Sequence, residues 1–118
     1  ALPICLVTSG IFIVQCGDPT ASGSGGVSWF YKDENLPVGY NNTYPAGTVA
    51  MANIAQPNTN SNQFFFTYKD GSQLGPNYTI WGKVIKGLDI LTYIASKGNA
   101  ADGIAPAEPL EIISAKTN

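Results

Sequence analysis

The sequence predicts one mainly β domain spanning residues 1–118. Two observations lead to this fold class. Several short apolar runs are separated by turn-forming residues, and only one segment has the apolar spacing of an amphipathic helix. The 13 glycines and 8 prolines supply the turns that such a chain requires. With 44% hydrophobic residues, the chain can bury a core as a single domain.

The first predicted strand is residues 10–15, GIFIVQ, an apolar run bounded by turn residues on both sides. The twofold repeat of a strand places Ile11, Ile13 and Gln15 on one face. Residues 17–26, GDPTASGSGG, follow as a glycine-rich loop. Because no lysine lies near its glycines, this loop does not match a Walker-type phosphate loop.

Residues 47–53, GTVAMAN, and residues 63–68, QFFFTY, are the next two predicted strands, joined by an uncharged polar connection. In the later strand Gln63 and Phe65 share one face, while Phe64 lies on the other. Both faces are therefore apolar. One interpretation is that one face is core and the other is the floor of an apolar pocket, rimmed by the polar connection. The alternative is that both faces are merely covered.

Residues 78–85, YTIWGKVI, and residues 110–115, LEIISA, are the last two predicted strands. Between them, residues 87–98, GLDILTYIASKG, carry apolar residues at helical spacing. Lys97 is predicted in the last turn, and Gly98 supplies the stop. The domain therefore has one predicted helix, near its C-terminal end.

Composition excludes several classes of function. The chain contains no histidine, which excludes a Ser-His-Asp or Cys-His centre and any zinc site built on imidazole. The formal net charge is -2 and no run of basic residues occurs, which argues against nucleic acid as a partner. No apolar run approaches the ~18 residues of a membrane span. We therefore expect no metal, cofactor or membrane span.

The two cysteines, Cys5 and Cys16, allow two states. They could form a disulfide in an oxidising compartment, but a single pair is weak evidence for one. Two buried free thiols are the expected state.

Residues 47–68, GTVAMANIAQPNTNSNQFFFTY, resemble the signature segment of the cyclophilins, a family of peptidyl-prolyl cis-trans isomerases. Residues 10–26 are similar to the family's Phe-x-x-Gln-x-Gly-Asp strand and Gly-Thr-Gly-Gly loop, and residues 78–91 to its Phe-Gly-Lys-Val segment with the following helix. The resemblance covers nearly the whole chain from Ser9 onward. It implies a cyclophilin-like antiparallel β-barrel with one helix near the C-terminus.

The resemblance also implies a set of substrate-binding residues: Phe12, Ile13, Gln15, Gly23, Ala52, Asn53, Gln63, Phe65, Leu74 and Tyr78. Within this set, the implied seat for a proline ring consists of Phe12, Ile13, Phe65 and Leu74. Phe65 is its floor and Tyr78 an aromatic wall, while Gln15 and Gln63 bind the peptide or orient the family's arginine. Gln73 stands where many eukaryotic members carry a tryptophan used for cyclosporin, which implies weak binding of that drug.

The sequence departs from the family pattern near its start. Ile4 and Cys5 stand where relatives have His-Arg, so a thiol replaces the family's electrostatic catalyst. No residue of this chain is therefore assigned as catalytic with certainty. The family's first strands and first helix have no counterpart here, so an N-terminally truncated, incomplete barrel with unpaired edges is expected.

The implied function is the isomerisation of Xaa-Pro bonds in protein folding, by non-covalent stabilisation of the twisted amide in an apolar pocket. Proline-containing peptides and unfolded proteins are the implied partners, and a monomer is expected. The alternative is a catalytically impaired proline-peptide binding module or an inert fragment, because Cys5 occupies the arginine position. A structural or adhesive β-domain is a third interpretation. The compartment stays open between cytoplasm and cell envelope.

Overall fold

The structure, a computed structural model, describes residues 4–8, 10–20, 22–37, 44–101 and 105–117. Over these residues the chain forms a five-stranded antiparallel sheet of β1 (Ile4–Thr8), β2 (Ile13–Asp18), β3 (Thr48–Met51), β4 (Phe64–Thr67) and β5 (Ile80–Lys83). The order of the strands is β1-β2-β4-β3-β5, so β4 lies in the centre. A short 3₁₀ helix, Ser72–Leu74, and helix α1, Leu88–Ser96, follow β4 and β5 respectively.

One set of paired residues crosses the whole sheet. Leu6 pairs with Gln15, Gln15 with Phe65, Phe65 with Ala50, and Ala50 with Ile80. Residues directly opposite each other in antiparallel strands project from the same face. These five residues therefore form a row on one face of the sheet, which we call the central row.

Strand β4 separates two apolar clusters. On the face of the central row, Phe65 is buried with Ile13, Tyr44 and Ala50. On the other face, the β4 phenylalanines 64 and 66 pack against a cluster of Cys5, Val7, Val14, Cys16, Tyr68, Leu91 and Ile94. We call this second group the helix-side cluster, because α1 contributes to it. The alternation predicted for residues 63–68 is confirmed, with apolar contacts on both faces of the strand.

The helix prediction for residues 87–98 is confirmed by α1. Gly87 precedes the helix with φ 94° and Gly98 follows it with φ 69°, both in the left-handed region that favours glycine. Lys97 is predicted in the last turn of the helix, but it lies one residue beyond the helix end at Ser96. Its N–H donates to the carbonyl of Ile94. In the described ranges no helix is long or apolar enough to cross a membrane.

Two elements differ from the sequence prediction. Residues 4–8 form β1, which the pattern does not identify because an almost continuous apolar run lacks the alternation of a half-buried strand. Residues 110–115, predicted as the last strand, contain a single bridge position at Glu111 and form no ladder with the described strands, although Leu110 and Ile112 pack against the helix-side cluster. Over the described residues β1 and β5 are the edge strands of the sheet.

The expectation of two free thiols is wrong, because Cys5 and Cys16 form a disulfide. The antiparallel pairing of β1 with β2 brings their Cα atoms to 4.1 Å, beside an irregularity in the register after Ile4. Both cysteines are buried in the helix-side cluster. The disulfide therefore ties the edge strand β1 to the rest of the sheet.

Candidate functional site

The face of the central row brings together most of the side chains predicted for the proline seat. Phe65 is 1% exposed and lies in one cluster with Ile13, and Leu74 and Tyr78 are partly buried against that cluster. The rings of Phe65 and Tyr78 meet edge to face, with centroids 5.4 Å apart. Because Phe65 is covered, it forms the base of the seat. The partly exposed Leu74 and Tyr78 form its accessible walls.

Phe12 does not belong to this seat. It has a positive φ of 58° and packs against the helix-side cluster, with its ring 6.0 Å from that of Tyr68. Ile11 packs against the Phe65 cluster instead. Phe12 lies in the turn before β2 in the left-handed backbone region, and its side chain packs on the opposite face of the sheet from Ile11 and Ile13. The structure therefore places Ile11, and not Phe12, beside Phe65.

Two glutamines form the polar part of the site. The Nε2 of Gln15 donates to Oε1 of Gln63 at 2.6 Å. The Nε2 of Gln63 in turn donates to the carbonyls of Gly23 and Gly25. Gln63 also accepts at its backbone carbonyl from the N–H of Ala52, at 3.0 Å. Backbone carbonyls of the glycine loop thus hold the Gln63 side chain in place, and Gln63 in turn holds Gln15.

The glycine loop that holds Gln63 is organised by Asp18, a buried carboxylate at the end of β2. Asp18 accepts hydrogen bonds from the backbone N–H groups of Thr20, Ser22, Gly23 and Gly25, and from the Thr20 hydroxyl. Burial alone would raise the pKa of Asp18, but the hydrogen bonds from Thr20, Gly25 and Gly23 outweigh it and lower the pKa from 3.8 to about 2. Asp18 therefore stays charged at neutral pH and fixes the loop.

A cleft of 370 Å³ opens beside the glutamine pair. Five predicted residues line it: Gln15, Gly23, Ala52, Asn53 and Gln63. Sequence analysis missed three apolar lining residues: Val27, Phe30 and Ile54. Two of them belong to a segment without regular secondary structure, and no local pattern indicates that this segment lies against the cleft.

A second cleft, of 270 Å³, lies on the other side of Asn53, between Asp33, Leu36 and the seat wall Tyr78. Asn53 lines both clefts, and its Nδ2 donates to the carbonyl of Asn77 at 2.9 Å. This amide therefore fixes the boundary between the two clefts. Residues of the polar connection line both clefts, Thr59, Ser61 and Asn62 the first and Gln56 and Pro57 the second.

Tyr44 supports the seat from below and is another residue that sequence analysis missed. It is fully buried, with its ring edge to face against Phe65 and Tyr78 at 6.3 and 6.2 Å. Its hydroxyl donates to the carbonyl of Gly75 at 2.8 Å and accepts from the N–H of Tyr78 at 3.1 Å. Burial raises the pKa of Tyr44, so the hydroxyl stays protonated. The hydroxyl therefore holds both ends of residues 75–78 next to the Phe65 cluster.

Position 5 does not face the seat. Cys5 is fully buried in the helix-side cluster, whereas its neighbour Leu6 belongs to the central row and pairs with Gln15. The Cδ1 of Leu6 lies 3.0 Å from the point that a Cβ on Gly23 would occupy. All six basic residues of the chain are lysines, so it contains no arginine. The β1 side chain nearest the glutamine pair is therefore aliphatic.

Comparison with known families gives one match over almost the entire chain. The family model described as cyclophilin type peptidyl-prolyl cis-trans isomerase/CLD matches residues 5–117. A crystal structure of a cyclophilin type peptidyl-prolyl cis-trans isomerase from Cryptosporidium parvum, in the presence of the dipeptide Ala-Pro, is similar with a TM-score of 0.76. It is 33% identical in sequence, and the match covers 94% of this chain and 71% of that chain.

Two relatives show the extent of the similarity in sequence. A protein of Mycobacterium tuberculosis named probable peptidyl-prolyl cis-trans isomerase B is 43% identical over 105 residues, which cover 77% of this chain and 32% of that protein. Peptidyl-prolyl cis-trans isomerase-like 3 of Mus musculus is 48% identical over 81 residues, which cover 68% of this chain and 50% of that protein. The chain thus spans between about a third and a half of the length of these curated relatives.

Replacing the loop carboxylate, Asp18→Asn, should lower the free energy of unfolding at pH 7 by about 2–3 kcal/mol, because several hydrogen bonds to a charged acceptor are weakened. The lowered pKa means that this stabilisation is fully present above the unfolded pKa of ~3.9 and is lost as pH falls towards 2. Urea unfolding between pH 7 and pH 2 should show a smaller loss of stability in the variant. Asp89→Asn, at an exposed helix position, is the charge control. An equal acid loss in wild type and Asp18→Asn would contradict the assignment.

The substitution Tyr44→Phe keeps the buried ring and removes only the hydroxyl that ties Gly75 to Tyr78. We expect the free energy of unfolding to fall by about 1–2 kcal/mol, since two partly buried backbone groups lose their partner. Hydrogen exchange at the Tyr78 amide, followed by NMR, should become faster than at strand amides. Tyr93→Phe, on the exposed side of α1, is the matched control. Unchanged exchange at Tyr78 would show that the hydroxyl does not hold the segment.

Proposed function

The chain belongs to the cyclophilin-type peptidyl-prolyl cis-trans isomerase family, and on that premise we propose that it accelerates the cis-trans isomerisation of Xaa-Pro bonds in folding polypeptides. The observation that carries the proposal is the central row, in which Gln15 pairs directly with Phe65 across β2 and β4. A polar donor and an apolar base thus lie side by side on one rigid sheet.

The chemistry of this reaction suits a site without a nucleophile. The barrier to rotation about a peptide bond is ~18–20 kcal/mol because rotation breaks amide resonance. In the twisted amide the nitrogen has a free lone pair, and the charge separation is smaller than in the planar form. A site with an apolar seat and a hydrogen-bond donor therefore binds the twisted amide more tightly than the planar one and lowers the barrier. The absence of histidine is no obstacle to this reaction.

We assign the proline ring to the seat formed by Ile11, Ile13, Leu74 and Tyr78 above Phe65. Ile11, Leu74 and Tyr78 are partly exposed around the buried Phe65, so they offer apolar surface to a ligand. This assignment keeps four of the residues implied by the resemblance and adds Ile11.

The residues that precede the proline would lie along the 370 Å³ cleft. A side chain at position 23 is disfavoured, because φ is 77° and an added Cβ would lie 3.0 Å from the Cδ1 of Leu6. The glycine therefore keeps the loop side of this cleft open. The Ala52 N–H is already bonded to Gln63, which leaves the Ala52 carbonyl and the Asn53 backbone as the groups to contact the peptide.

The proposed partners are proline-containing peptides and unfolded proteins. The Ala-Pro dipeptide in the crystal structure of the Cryptosporidium relative supports this ligand class. Gln73 is exposed, and a glutamine offers less apolar contact than a tryptophan, so cyclosporin is proposed as a weak ligand. We further propose that the chain acts as a monomer and does not bind nucleic acid, in line with its net charge of -2.

The proposed activity is tested by NMR exchange spectroscopy on an Ala-Pro peptide, with wild type and two arginine variants. Wild type should accelerate the exchange, which takes tens to hundreds of seconds without a catalyst. Leu6→Arg should increase this further, by about tenfold, because it places a guanidinium on the face of the central row.

Cys5→Arg is the matched control for that gain. It removes the disulfide and places a charge in the helix-side cluster, so it should destabilise the fold and give no gain in rate. Circular dichroism reports whether each variant is folded. No acceleration by folded wild type would refute the proposed function. A folded Cys5→Arg more active than Leu6→Arg would contradict the placement of β1.

A further inference from the structure

We propose that the side-chain amide of Gln15 is the hydrogen-bond donor to the proline nitrogen in the transition state, and that a neutral amide has this role because the chain has no arginine. The inference rests on the proposed isomerase function. It gives Gln15 a role beyond binding the peptide or orienting another residue.

The hydrogen bonds of the pair determine how the Gln15 amide is oriented. The carbonyls of Gly23 and Gly25 can only accept hydrogen bonds, so the Gln63 atom that faces them must be the donor Nε2. This leaves Oε1 of Gln63 facing Gln15, which must therefore present its own Nε2. An amide nitrogen carries two N–H groups, and one of them is used in this bond. Among the described residues no partner is found for the second.

Gln15 lies where its second N–H can face the reacting bond. Gln15 lines the 370 Å³ cleft and pairs across the strands with Phe65, the base of the seat. On its other side in the row lies Leu6, which has no donor. Over the described residues, no lysine lines either cleft. The Gln15 amide is therefore the side-chain donor of the central row beside the seat.

The proposed hydrogen bond is selective for the transition state. In a planar amide the nitrogen lone pair is delocalised into the carbonyl, so the nitrogen is a poor acceptor. Once the bond twists, the lone pair localises and can accept. A donor placed at this atom contributes to the rate without strengthening ground-state binding. A neutral donor forms a hydrogen bond roughly half as strong as a charged one, so the acceleration should be smaller than that of a site with a guanidinium.

The test uses two substitutions at Gln15, with exchange spectroscopy for the rate and NMR titration of the same Ala-Pro peptide for the Kd. Gln15→Met has a similar shape and no donor, and should reduce the catalysed exchange about tenfold or more, with a Kd within about twofold of wild type. Thr92→Glu, at an exposed position of α1 that lines neither cleft, is the control for added charge and should leave both values unchanged.

Gln15→Glu supplies a readout that a structural role would not give. At pH 7 its carboxylate has no proton to donate, so catalysis should be lost. Near pH 4 part of the side chain is protonated and regains an O–H donor, since a glutamate ordinarily titrates around 4.3. Catalysis should then partly return. Asp18, the nearest titratable group on β2 and its loop, stays ionised over this range because its pKa is about 2.

Each outcome decides between the two proposals. If wild type does not accelerate exchange, the isomerase function fails and the donor role fails with it. If wild type is active and Gln15→Met is equally active, the donor role is overturned while the isomerase function stands. If Gln15→Met loses rate and binding in parallel, Gln15 acts on the planar ground state and the proposal is also overturned. Should Gln15→Met not fold, a Gln15→Glu rate that stays the same at both pH values overturns it.

Discussion

The burial of β4 on both faces is the constraint on which the rest of the structure depends. This strand lies in the centre of the sheet, between β2 and β3. Phe64 and Phe66 point into the helix-side cluster, while Phe65 forms the base of the seat on the other face. A shift of one residue in register would exchange the two faces. The three consecutive phenylalanines therefore fix both the core and the position of the site, and they explain why the polar connection before them ends at this strand.

The polar side of the site depends on a chain of hydrogen bonds that starts in the interior. Asp18 holds the N–H groups of Gly23 and Gly25, the carbonyls of these glycines hold the Gln63 amide, and Gln63 holds Gln15. Each link has a defined direction, because a carboxylate and a carbonyl can only accept. A buried charge at one end thereby orients a neutral amide at the other. Preorganised donors of this kind need no rearrangement when charge shifts in the reacting bond.

Periodicity and resemblance predicted different parts of this structure. Alternation correctly grouped Ile13 with Gln15 in β2 and separated Phe65 from Phe64 and Phe66 in β4, but it did not predict the pairing of Gln15 with Phe65. The features that the sequence did not predict all depend on long-range contacts. The partner of Cys5 depends on the register of β1 with β2, and the role of Tyr44 depends on contacts more than 30 residues away in the chain. Local patterns contain no information on such pairings.

The proposed function requires an Xaa-Pro ligand to bind on the face of the central row, over Phe65 and beside Gln15. The most direct test is to titrate ¹⁵N-labelled protein with an Ala-Pro peptide and follow the backbone amide shifts. The account predicts that the largest changes fall on amides around Gln15, Gln63 and Tyr78, with little change in α1. Changes concentrated on α1 and the helix-side cluster, with the central row unaffected, would contradict it.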